Sequence, residues 1–131
     1  INWASSGWGD AATIIPWELY IATGDKKILT DNYEMMKGWV NYHTSQTNNH
    51  ISKMKTFGDW LQPYPDESRL KDGEGGNRGD TDYNLISTAF YARSVELTIK
   101  AAETLNKADD VVSLLALHQE IKAAFPSAKV N

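Results

Sequence analysis

Residues 10–23 constrain this chain more than any other stretch. Ala11, Ala12, Ile14, Ile15, Trp17, Leu19, Tyr20 and Ile21 recur so densely that, wound into a helix, they point in nearly every direction. A helix apolar all round has to be covered on most of its faces. Asp10 stands at the N-cap position, where a short carboxylate accepts from the free N–H groups of the first turn. Gly24 supplies a left-handed stop. Pro16 inside the stretch predicts a kink, or a helix that properly begins near it.

Three more helices follow from periodicity. The second is expected from about Asp31, after a short helical turn over 26–29, because Asp31 and Glu34 have the spacing of a capping box. Met36, Trp39, Val40 and His43 then form one apolar stripe, and the polar run 44–49 ends the helix. The third spans about 82–105, apolar on several faces through Leu85, Ile86, Ala89, Phe90 and Ala92, with Asn106 as its stop. The fourth follows over 108–125, with Asp109 and Asp110 in its first turn and a stripe of Val111, Leu114, Leu115, His118, Ile121 and Phe125. These last two make an αα-hairpin. Residues 50–81 read as irregular. They comprise an aromatic turn at 57–63 and, after Pro65, a charged Gly-rich stretch expected to be a mobile surface loop over about 64–81. No strand of period two is evident. The fold class is all-α, inner helix then outer helix, twice. Helices one and three carry more apolar faces than two partners cover. The chain is therefore expected to be part of a larger helical barrel or array, and to self-associate through inner-helix surface left open.

The 131 residues match the size of one ordinary domain, so composition has to narrow the function. A net charge of −4 speaks against a nucleic-acid partner. No apolar run approaches the ~20 residues of a membrane span. The absence of Cys excludes disulfides, thiolate metal sites and a Cys nucleophile. His43 and His50 lack a metal-binding helical spacing and His118 lies on a packing stripe, so neither metal nor cofactor is expected. The lack of Cys leaves the compartment open, with a periplasmic or secreted location placed ahead of a cytoplasmic one.

Two short motifs carry chemistry. Gly7-Trp8-Gly9-Asp10 and Phe57-Gly58-Asp59-Trp60 each put a Trp and a carboxylate in a glycine-bearing loop. An aromatic face for stacking beside carboxylates for hydroxyl hydrogen bonds is what a carbohydrate site requires. Trp8, Trp60, Asp10 and Asp59 are the candidate binding residues, although Asp10 reads first as a cap and Asp59 as a turn former. Of the 17 carboxylates, Asp10 and Asp59 alone sit in aromatic, glycine-flanked loops. Glu18, inside the apolar helix, is a further candidate whose plainer reading is an acid at a helix edge.

The run Gly7-Trp8-Gly9-Asp10-Ala11-Ala12-Thr13-Ile14-Ile15-Pro16-Trp17 resembles a motif of bacterial α-L-rhamnosidases of glycoside hydrolase family 78. Gly24-Asp25, Met36-Lys37-Gly38-Trp39-Val40, Phe57-Gly58-Asp59-Trp60-Leu61 and the later hairpin are similar to the same family in the same order. The resemblance implies a partial (α/α)6 barrel of a glycosidase that inverts configuration with a Glu acid and a Glu base. It implies that both catalytic groups lie outside this chain, the acid upstream of the first motif and the base downstream of the hairpin, so the isolated chain is expected to be inactive. It also implies that Trp8 and Trp60 line a rhamnose subsite, with Asp10 and Asp59 as pocket or scaffold residues, and that the partner is a rhamnose-containing carbohydrate. The alternatives are another helical-barrel glycosidase and a non-catalytic helical scaffold.

Overall fold

The computed structural model describes residues 4–64 and 79–129. The segment expected as a mobile loop falls mostly on 65–78, outside the described residues. Helix α1 (Ala11–Thr23) runs unbroken through Pro16 and ends at Gly24, whose positive φ of 69° turns its N–H back onto the Tyr20 carbonyl at 2.7 Å.

Helix α2 (Lys26–Ser45) corrects the expected start at Asp31: the turn over 26–29 and the later helix are one element. Asp25 is its cap, accepting from the Lys27 N–H at 2.9 Å. Asp31 lies inside the helix, where its carboxylate pairs with Lys27 one turn earlier. After α2 comes a hairpin that the sequence reading missed, β1 (Thr47–Asn48) against β2 (Ile51–Ser52), antiparallel, with Thr47 opposite Ser52. Asn49 and His50, both at positive φ, make its two-residue turn.

Helix α3 (Tyr83–Thr104) is capped by Asp82, which accepts from the N–H groups of Asn84 and Leu85. It ends before Asn106, at φ 57°. Helix α4 (Ala108–Ala124) continues into a 3-10 turn, Phe125–Lys129. Two apolar clusters hold the helices together. Leu29, Tyr33 and Met36 of α2 pack on Ala101 and Ala102 of α3, large side chains against small ones. Val40 of α2, Tyr91, Val95 and Ile99 of α3 and Ile121 of α4 form the second. Full burial of each large apolar side chain contributes roughly 1.5–3 kcal/mol. The stripe of α4 turns out narrower than expected: Ile121 alone is buried, Leu114 and Leu117 pack beside it, and Leu115 faces solvent.

Helix α3 is the buried centre of the molecule, touching α1, α2 and α4. Helix α1 is different. Only Thr13 and Pro16 are buried, while Ile15, Leu19 and Ile21 are exposed. Its apolar faces exceed what the described residues cover.

Candidate functional site

The loop before α1 and the loop after β2 come together. Ser6 and Thr56 form a parallel bridge, with the Ser6 N–H on the Lys55 carbonyl at 2.8 Å and the Thr56 hydroxyl on the Ser6 carbonyl at 3.2 Å. This places Trp8 edge-to-face on Phe57, ring centroids 5.8 Å apart. Phe57 in turn meets Trp60 at 6.4 Å. The result is a row of three exposed aromatics from two distant segments. Beside it lies a cavity of about 760 Å³, lined by Ala4, Ser5, Trp8, Gly9, Lys55, Thr56, Phe57 and Tyr83. Aromatic walls with a few polar groups suit a ligand that has both apolar and hydroxyl-bearing faces.

The sequence-predicted residues divide. Trp8 is 67% exposed and stands in the cavity wall. Trp60 adjoins Phe57 but is not among the lining residues. Asp10 corrects the reading of its side chain as a helix cap. Its side chain makes no cap bond to α1, and the residue is fully buried. Its carboxylate instead accepts the Gly7 N–H on Oδ2 at 2.7 Å, and the Trp39 indole N–H at 2.8 Å and the Ser94 hydroxyl at 2.5 Å on Oδ1. The Ser94 hydroxyl also shares a hydrogen bond with the Thr13 hydroxyl, 2.7 Å away, and Thr13 in turn donates to the Asp10 carbonyl at 3.0 Å. Asp10 therefore belongs to the frame behind the cavity and not to its wall. Asp59 is also outside the wall. Its Oδ2 accepts from the Thr81 hydroxyl at 2.8 Å. Its Oδ1 is packed against Gly79, with no hydrogen-bond partner among the described residues. Gln62 and Asp80 pair across the same two segments at 2.7 Å. Glu18 is exposed on α1.

Phe57 and Tyr83 line the cavity and were missed as candidates. The signal for Phe57 was its place beside Gly58, whose positive φ lets the turn press against Tyr83: a Cβ there would stand 2.6 Å from the Tyr83 ring. Tyr83 gave none, since it reads simply as the first residue of a helix.

Behind the wall sits His43, buried, stacked on Tyr91 at 4.6 Å and edge-on to Trp39. Its Nε2 pairs with the Ser52 hydroxyl at 2.8 Å. Burial pushes the imidazole down to about 4, with the Asp10 carboxylate pulling the other way, so it is neutral at pH 7. Among the described residues no cluster of His, Asp and Glu could hold a metal ion. No helix there is long and apolar enough to cross a membrane.

Two helical hairpins thus meet through a buried central helix, with an aromatic cavity at the loops before α1 and after β2. The family model of the bacterial α-L-rhamnosidase six-hairpin glycosidase domain matches residues 3–130, and the chain belongs to that family. It is 59% identical over 125 residues to an α-L-rhamnosidase of Alteromonas sp. (strain LOR), and 48% identical over 124 residues to one of Formosa agariphila. Each match takes in 95% of this chain and 13% of the relative, so the chain spans about an eighth of their length. Among solved structures, it is similar to the Streptomyces avermitilis α-L-rhamnosidase complexed with L-rhamnose, at 30% identity and a TM-score of 0.77, covering 97% of this chain and 11% of that one. It is also similar to the Dictyoglumus thermophilum enzyme, at 29% identity and a TM-score of 0.82, covering 95% and 13%. The four helices are thus part of an (α/α)6 barrel, as the family resemblance implied and in keeping with the larger helical barrel or array expected from the alternation of inner and outer helices.

Proposed function

We propose that this chain is the sugar-facing aromatic wall of an enzyme that removes terminal α-L-rhamnose from glycans or glycosides. The observation that carries the reading is the exposed Trp8, held edge-to-face on Phe57 over a cavity of about 760 Å³ in a chain of the rhamnosidase family. Rhamnose is a 6-deoxy sugar with an apolar methyl group, and it suits a wall that is mainly aromatic and apolar. Trp60 extends the row beyond the cavity, where the remainder of a larger glycan would pass.

Hydrolysis with inversion needs two carboxyl groups about 6.5–9.5 Å apart, flanking the scissile bond. Among the described residues, no carboxylate lines the cavity. The reading follows the family resemblance in placing the catalytic pair in parts of the enzyme outside this chain, so that the 131 residues bind without turning over.

Titrating the purified chain with L-rhamnose while following Trp emission tests this. A saturable change is expected, abolished by Trp8→Ala and weakened by Phe57→Ala and Trp60→Ala, with no release from an aryl α-L-rhamnoside. A flat titration would remove the sugar reading. Turnover abolished by Asp10→Asn or Glu18→Gln would mean that the chemistry lies within this chain.

A further inference from the structure

We propose that Asp10 is a positioning residue: out of reach of anything in the cavity, it sets the angle at which Trp8 faces the occupant. The inference rests on the cavity being the sugar site. Trp8 lies between two glycines and is mostly exposed, with Phe57 as its one ring contact among the described residues, so the backbone on either side has to fix its direction. Asp10 fixes both sides. One carboxylate oxygen holds the Gly7 N–H, and Gly7 has the positive φ of 88° that a side chain would resist. The other holds the indole N–H of Trp39, whose ring lies flush on Gly9: a Cβ at Gly9 would come within 2.1 Å of it. The Gly9 N–H closes the turn on the Ser5 carbonyl at 2.8 Å. One buried carboxylate thus serves both flanks of the cavity tryptophan.

The two-sided demand makes the idea testable. An Asn at this position has a single oxygen. Turned toward Trp39 and Ser94, it presents its amide N–H groups to the Gly7 N–H, donor against donor. The chain labelled with 5-fluorotryptophan gives one fluorine signal for each of its five tryptophans, and Trp8→Phe assigns the relevant one. Asp10→Asn is expected to shift or split the Trp8 signal while that of Trp60 stays in place, and to weaken rhamnose binding about tenfold. Ser94→Ala removes one buried bond to Asp10 but leaves the Gly7 bond intact. It is expected to lower stability with the Trp8 signal unmoved, which separates positioning from stability alone.

An unmoved Trp8 signal in folded Asp10→Asn overturns the proposal, as does an equal displacement in Ser94→Ala. Should Asp10→Asn fail to fold, Trp39→Phe decides. It takes away the indole N–H and the ring atoms against Gly9, and a Trp8 signal unmoved by it also overturns the proposal. A wild-type chain indifferent to rhamnose, with Trp8 still displaced by Asp10→Asn, would end the sugar reading and leave the positioning role standing.

Discussion

One buried side chain behind the cavity has partners that its own neighbourhood does not reveal. Asp10 looks like a cap locally, yet two of its partners, Trp39 and Ser94, are 29 and 84 positions away. Nothing in the local pattern of residues 7–13 announces them. The glycines beside Trp8 marked a turn, and a Trp packed beneath it would have read the same; its 67% exposure comes from the structure. Gly9 has a sharper role than a flexible turn. Replacing it with Ala drives a methyl group into the Trp39 ring, and we expect a loss of about 2 kcal/mol in urea unfolding, since overpacking of this kind costs roughly 1–3 kcal/mol. His43 supplies a pH signature. Its folded value of about 4 lies below the ordinary 6.5, so between those values the unfolded chain binds a proton that the folded chain refuses. Stability is therefore complete above about pH 6.5 and falls as acid is added, by about 3 kcal/mol by pH 4. Urea midpoints measured from pH 7 to pH 4 should show the decline, and His43→Gln should flatten most of it.

At the scale of elements, boundaries marked by a cap or a left-handed residue were legible. Gly24, Asp82 and Asn106 each act where the sequence placed them. The start of α2 was misplaced because two acidic residues compete to begin it. Asp25 has the extended backbone of a cap and Asp31 does not, a difference of conformation and not of residue type. The β-hairpin escaped notice because strands of two residues are too short to show a period. Its turn depends on residues that tolerate positive φ, not on a glycine. Helix α2 also carries an unneeded cost. Gly38 sits in its interior, and a Cβ there would meet nothing within 4 Å. Gly38→Ala should therefore stabilise the fold by about 0.5–1 kcal/mol, read as a higher denaturation midpoint with an unchanged slope.

For the whole molecule, the sequence established that α1 needs more cover than its neighbours provide, and Ile15, Leu19 and Ile21 are the side chains left open. In the isolated chain, light scattering at rising concentration should show association, and Leu19→Lys with Ile21→Lys should reduce it without lowering the denaturation midpoint. A well-behaved monomer at all concentrations would contradict this. The bridge between Ser6 and Thr56 carries a last consequence. Trp8 and Phe57 stand almost fifty positions apart in the chain, and two hydrogen bonds and a ring contact among the described residues join their segments. Such a junction between two loops is expected to open more readily than the packed helices behind it. Amide exchange should find the Ser6 N–H trading its hydrogen for deuterium well before those of Val95 or Ile99. The cavity would then come and go on a timescale of its own while the helices behind it remain folded.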